Sequence, residues 1–254
     1  MAVYAAQIER MDRGIGQILA KLRETGQQEN TVVVFLSDNG GCAEFLREDT
    51  DEDGHPGRYG MPTPDGRRVR VGNTPQITPG SDDTFASYDL SWANASNTPF
   101  RLYKHWVHEG GIATPMIVHW PGGGLQSRIT HEPCHIIDLM PTFLDMARAS
   151  HPLEYGGRSV QALEGVSLLP LLRGQHWERS VPVFWEHEGN RAVRQGQWKL
   201  VSKHPGSWEL YDMEADRTEL DNLAESEPQR VRSLASQYEK WADRCGVLPW
   251  PIRC

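Results

Sequence analysis

Six consecutive residues, Thr31-Val32-Val33-Val34-Phe35-Leu36, leave this chain the fewest choices. The run is β-branched and aromatic, with no polar alternation. A strand of that kind suits burial on both faces, as in a parallel sheet with helices packed on each side. It stops abruptly at Ser37-Asp38-Asn39-Gly40-Gly41. In open α/β sheets ligands bind outside the carboxyl ends of strands, so a polar, glycine-rich turn there is a site candidate. Asp38 and Asn39 offer hard oxygen donors suited to calcium or magnesium. Asn-Gly is also a strong turn signal on its own, and a plain turn is the competing reading.

Upstream, residues 2–25 read as an amphipathic helix. Met11, Ile15, Ile18 and Leu22 recur on one helical face, and Gly26 is placed to end it. Downstream, residues 42–97 change character, with many Gly, Pro, Asp and Thr residues and little periodicity. Asp49-Thr50-Asp51-Glu52-Asp53-Gly54 resembles the opening of an EF-hand loop, but Gly60 stands where the twelfth-position glutamate belongs. A solvated insertion loop is the better reading, and one of this length tends to be functional or partly disordered. Residues 115–120 read as a second short buried strand, and 135–147 as a helix with Ile137, Met140, Leu144 and Ala147 on one face and a bend near Pro141. From 181 onward, short strands at 181–186, 191–194, 198–202 and 208–211 suggest an antiparallel sheet. A last helix spans 228–243, with Val231, Leu234, Tyr238 and Trp241 together.

The chain has 254 residues, enough for one large domain or two modest ones. Its formal net charge of -8 argues against sequence-independent nucleic-acid binding, which needs a basic surface. No stretch is apolar enough to span a bilayer. Glu9, Arg10, Asp12 and Arg13 occupy the place of a signal-peptide core. The expectation is therefore either a cytoplasmic protein or a true N-terminus further upstream, in which case a signal peptide there would direct it to the periplasm or outside the cell. The four cysteines, Cys42, Cys134, Cys245 and Cys254, form no C-x-x-C pair, which argues against a zinc or redox motif. Cys245 and Cys254 could bridge in an oxidising compartment, or all four could be free thiols.

A second candidate stretch is Arg101-Leu102-Tyr103-Lys104-His105-Trp106-Val107-His108-Glu109-Gly110-Gly111. Two cations and two imidazoles lie close together there. Lys is a compact charge able to grip a sulfate or phosphate oxygen, and paired glycines permit close backbone approach. The competing reading is a solvated loop. A third stretch, His187-Glu188-Gly189-Asn190, reads as a tight turn between strands, with Trp185, Trp198 and Trp208 as core packing for the small sheet.

Taken in order, three segments resemble the type I sulfatases of the alkaline phosphatase superfamily. They are Ser37–Gly41, Asn97-Thr98-Pro99-Phe100-Arg101-Leu102-Tyr103-Lys104, and His108 through Pro121 (HEGGIATPMIVHWP). His135–Asp145, Arg191–Leu200, Glu209–Asp212 and Asp221–Ala224 are similar to later parts of the same family. The resemblance covers the chain apart from much of 42–90. It implies an α/β fold: an alkaline-phosphatase-like mixed sheet flanked by helices, in its C-terminal part. Residues 1–180 would be the later portion of the catalytic domain, with 42–97 inserted. Residues 181–254 would be a C-terminal subdomain of a four-stranded antiparallel sheet and a terminal helix.

The resemblance also implies an activity: hydrolysis of aryl or carbohydrate sulfate esters at a calcium site, magnesium being the lesser alternative. By carry-over, Asp38 and Asn39 would ligate the metal and Lys104 would contact the sulfate. His108 would be a further contact, and Trp92 and Asn94 would line the pocket. Position 113 is Ala where many relatives carry Arg. The family nucleophile is a formylglycine made from Cys or Ser in a C/S-x-P/A-x-R motif, and none of the four cysteines has that setting. The paired aspartates that open the family's metal site are absent too. The expectation is a chain that supplies half of a site, is inactive by itself, and pairs with an N-terminal half of the same fold. Two alternatives remain: a phosphodiesterase or phosphonate monoester hydrolase of the same superfamily, and a non-catalytic remnant that binds sulfated ligands.

Overall fold

The computed structural model describes residues 1–46 and 61–252. The EF-hand-like run at 49–54 and Cys254 lie outside them. Helix α1 (Ala2–Glu24) forms where the apolar periodicity places it. It ends in a Schellman arrangement: Gly26 takes φ +67°, its N–H donates to Arg23 O, and the Gln27 N–H donates to Leu22 O. None of its residues is buried, and Met11 and Ile18 on the apolar stripe are 49% and 63% exposed.

Strand β1 (Val33–Leu36) follows. The insertion holds β2 (Arg70–Val71) and β3 (Thr84–Phe85), a parallel pair, and then helix α2 (Asp89–Asn97). The part of 42–97 that is described is therefore more ordered than its composition predicts. Polar side chains bonded to backbone do this work where apolar packing is sparse. Asn73 exchanges two hydrogen bonds with the Ser87 backbone, and Ser87 Oγ donates to Glu44 O.

A single-turn helix α3 (Glu109–Ile112) leads into β4 (Met116–His119). β1 and β4 pair antiparallel, with Val34 opposite Val118. This corrects the expectation of a parallel strand buried on both faces. Among the described residues no other strand pairs with either edge, and Phe35 and Ile117 remain 40% and 61% exposed. An unbroken apolar run reports that a strand is to be covered, not which strand covers it. Helix α4 (Leu139–Ala147) starts after a 3₁₀ turn at Ile136–Asp138 and carries Pro141 in its first turn, where the missing N–H costs no helical bond. A short hairpin, β5 (Glu154–Tyr155) with β6 (Arg158–Ser159), and the one-turn α5 (Leu169–Leu172) complete this part.

The remainder is a four-stranded antiparallel meander of β7 (Val183–His187), β8 (Asn190–Gln195), β9 (Trp198–Ser202) and β10 (Glu209–Asp212), capped by α6 (Pro228–Cys245). Strand alternation gives the sheet two buried faces. Val193, Leu200 and Leu210 face Leu234 and Tyr238 of α6, with Phe184 stacked on Trp241 at 5.1 Å. Ala192, Val201 and Tyr211 face the other way and pack on Val107. Lys199 and Glu209 are in phase with that second face, which directs charge toward α3.

Candidate functional site

The turn after β1 is held by backbone contact that only glycine allows. The Gly40 N–H donates to Gly111 O at 2.9 Å, and a Cβ on Gly40 would sit 1.8 Å from Gly110 O. Gly110 and Gly111 are equally confined, by Arg101 O, Leu102 O, Tyr103 O and Trp106 O. The Gly41 N–H donates to Asn97 Oδ1, and the Asn97 side chain donates in turn to Leu102 O. The Lys104 N–H donates to Gly41 O at 3.0 Å. The two sequence-distant segments that carry Asp38-Asn39 and Lys104 are thus tied together main chain to main chain.

Within that frame Asp38 is exposed and Asn39 half-buried. Asp38 Oδ1 accepts from the Asn39 N–H and from Asn39 Nδ2. Lys104 Nζ is exposed, and its ion contact with Glu44, at 3.9 Å between half-exposed groups, is weak. Trp92, 49% exposed, and Asn94 stand on α2, and Asn94 Oδ1 accepts from Tyr103 Oη at 3.3 Å, beside Lys104.

His108 is placed elsewhere. Its side chain is fully buried, and Nε2 lies 3.4 Å from Glu209 Oε2. It faces the sheet and shares no surface with Lys104, so a direct substrate contact does not fit its position. The Glu209 carboxyl is held down to about 2, chiefly by the His108 hydrogen bond, with help from the Tyr211 hydroxyl and Arg101 against the opposing effect of burial. Tyr211 is pushed up, first by burial and then by Glu209. Arg101 Nη1 donates to Tyr211 Oη and to Glu219 O.

A second buried network lies alongside. Lys199 Nζ is fully buried, 2.9 Å from Glu109 Oε1 and 2.8 Å from Glu219 Oε1. Glu219 Oε2 accepts the Glu109 N–H, which fixes the first turn of α3, and Arg217 reaches Glu109 Oε2 at 3.3 Å. Burial acts to raise the Glu109 pKa, but the Lys199 ammonium outweighs it and the group ends below its ordinary value. Sequence reading missed Lys199 and Glu219. The one available signal was a lysine in the inward phase of an otherwise apolar strand.

Two family models match this chain: Sulfatase over residues 1–149, and N-sulphoglucosamine sulphohydrolase, C-terminal, over residues 100–242. The chain belongs to the sulfatase family. An uncharacterized sulfatase of Schizosaccharomyces pombe is 30% identical over 99% of this chain, and an arylsulfatase of Klebsiella aerogenes is 31% identical over 66% of it. This sulfatase chain spans only 45% and 34% of those two proteins, respectively. Among solved structures, Ps i-CgsB in complex with k-i-k-neocarrahexaose superposes with a TM-score of 0.65 at 23% identity, over 94% of this chain and 42% of the other. Phosphonate monoester hydrolase of Agrobacterium radiobacter superposes at 0.51 and 17% identity, over 93% and 40%. The architecture is therefore the alkaline-phosphatase-like fold in its C-terminal portion, ending in the small antiparallel sheet.

Proposed function

We propose that this chain supplies part of the metal and sulfate site of a sulfuric ester hydrolase acting on aryl or carbohydrate sulfates. The observation that carries the reading is the main-chain tie between the Asp38-Asn39 turn and the Lys104 loop. Asp38 offers a carboxylate and Asn39 a carboxamide oxygen, a hard donor pair that suits calcium better than a softer ion. They would be two of its ligands, the rest coming from outside these residues. Calcium bound there would supply positive charge to a sulfate ester oxygen and to the nucleophile. Lys104 would neutralise charge on the transferring group, and Trp92 and Asn94 would border the ester. His108 and Glu209 would position the segment that carries Lys104.

None of the four cysteines stands in a C-x-P/A-x-R setting, and the one serine match, Ser226-Glu227-Pro228-Gln229-Arg230, leads into α6, on the sheet face turned away from Val107 and α3. The formylglycine nucleophile and the paired aspartates would therefore belong to an N-terminal half of the same fold. The uncovered apolar groups support such a docking. Ile18 on α1, Ile117 on β4 and Met140 on α4 are 63%, 61% and 56% exposed, which is unusual for residues patterned for a core. In this reading residues 1–180 complete the catalytic domain and 181–254 form its C-terminal subdomain.

The test is hydrolysis of an aryl sulfate by the protein containing this chain together with its catalytic half, with and without calcium. Asp38→Ala and Lys104→Ala should each lower kcat/KM by about a hundredfold or more, and Asp38→Ala should abolish the calcium dependence. Full activity in Asp38→Ala would overturn the assignment. Preference for an aryl phosphonate over the sulfate would favour the phosphonate hydrolase alternative. Binding of sulfated ligand without turnover would favour the remnant.

A further inference from the structure

Two motifs that were separate in the sequence meet in space: His105, next to Lys104, and His187-Glu188 in the β7–β8 turn. His105 Nδ1 lies 3.0 Å from Glu188 Oε2, and the two imidazole rings sit edge to face at 5.2 Å and 82°. One ligand atom from each of the three residues falls within 4.8 Å of the others. Around a tetrahedral ion with bonds near 2.1 Å, donor atoms are roughly 3.4 Å apart, so only side-chain adjustment is needed to close the set.

The backbone that carries these residues is fixed before any ion arrives. Asn190 is 2% exposed, and its Nδ2 donates to both His187 O, at 2.9 Å, and His105 O, at 3.3 Å. Its Oδ1 accepts from the His204 N–H. One buried carboxamide thus clamps both ligand-bearing segments. Trp106 packs its ring edgewise on the His105 imidazole at 5.1 Å. His105 is held at φ +98° and Glu188 at φ +50°, backbone that is strained for a residue other than glycine. The His105–Glu188 contact is 43% and 40% exposed, and a contact so wet is weak. By itself it does not offset the strain.

We propose that His105, His187 and Glu188 form a binding site for a borderline divalent cation of the Zn²⁺ class, with a fourth position left for water. Two imidazoles and one carboxylate are the donor set such ions select, and a poor one for calcium. The site is independent of the Asp38-Asn39 proposal in both residues and ion. Its effect is to staple the C-terminal sheet to the loop bearing Lys104.

The test is titration of the chelator-treated, tag-free 254-residue chain with Co²⁺, read by visible d–d absorption. The expected result is saturation at about one equivalent, with displacement by Zn²⁺ and not by Ca²⁺. His187→Ala and Glu188→Gln should each weaken Co²⁺ at least about tenfold, while Asp38→Ala leaves binding unchanged. Glu188 lies in a half-exposed turn, so Glu188→Gln carries the test if His187→Ala does not fold. No d–d bands, bands unaltered in Glu188→Gln, or a thiolate charge-transfer spectrum from the free cysteines would each overturn the proposal. Loss of binding in Asp38→Ala would do the same, by locating the ion at the other turn.

Discussion

Replacing Lys199 with methionine should be among the most damaging single changes in this chain, for an electrostatic reason. Methionine nearly conserves the volume, so little cavity is made. What is lost is one ammonium shared by two carboxylates, Glu109 at 2.9 Å and Glu219 at 2.8 Å, in a place where Lys199 and Glu219 are fully buried and the Glu109 side chain is 4% exposed. Arg217 still touches Glu109, but its side chain is 41% exposed and water screens it. Removing one partner from a buried ion pair costs about 3–5 kcal/mol, which for a chain of this size lowers Tm by about 6–20 °C. Urea denaturation followed by tryptophan fluorescence reads the change. The pH dependence separates charge from packing. In the parent chain Glu109 is lowered from 4.5, so it contributes stability above that value and loses it as pH falls through the lowered one. In the variant burial acts without the ammonium and raises the carboxyl, so stability is fully present below 4.5 and lost as pH rises through the raised value. The gap between variant and parent should therefore narrow from pH 7 toward pH 5. A gap that is constant over that range, or smaller than about 1 kcal/mol, would refute the electrostatic account.

Gly40→Ala should cost about 1–3 kcal/mol or more, because the added Cβ meets backbone at Gly110 O, 1.8 Å away, and backbone cannot swing aside. Hydrogen exchange of the Gly40 amide, now bonded to Gly111 O, should speed up with it, and an unchanged rate would mean the turn accommodates the methyl group. Glu209→Gln should flatten the acid limb of the stability curve. Glu209 is held down to about 2, so its contribution is present above the ordinary 4.5 and fades as pH falls through about 2. An acid titration that loses stability equally in parent and variant across that window would show that the His108–Glu209 contact contributes nothing.

The elements that were legible in the sequence are those specified locally. Helix α1 stops one residue short of its predicted end because Gly26 supplies the left-handed C′ residue. The meander of β7 to β10 falls within about two residues of its predicted boundaries, each turn marked by polar or glycine residues. Pairing was not legible. The Thr31–Leu36 run announces a covered strand, yet whether β4 lies parallel or antiparallel to it depends on chain direction some eighty residues later. The buried networks were illegible for the same reason. Lys199 meets Glu109 across 90 residues, and Glu219 meets the Glu109 N–H across 110. His108 read as a further substrate contact near Lys104, but Glu209, 101 residues away, decides its place.

These long-range contacts form one mechanical path. Lys199 and Glu219 fix Glu109 and the first turn of α3. The glycines of α3 are then packed without clearance against the carbonyls of the 101–106 loop, and Gly111 accepts the Gly40 N–H that shapes the turn holding Asp38 and Asn39. The contacts between α3 and the turn are backbone on backbone, so none of them can yield by changing rotamer. Displacement of α3 must therefore move Lys104 and the Asp38-Asn39 turn together. The C-terminal sheet, although it donates no proposed ligand to calcium, sets where those ligands stand. A destabilised Lys199 variant that still folds should thus lose site geometry before it loses its sheet, because β8 and β9 keep their own core against α6 through Val193, Leu200, Leu234 and Tyr238. Amide exchange would show this order directly: early loss of protection at Gly40 and Lys104, with Val193 and Leu200 protected until global unfolding. Simultaneous loss at all four would mean that α3 and the sheet open as one cooperative unit, and the path would then have no separate weak link.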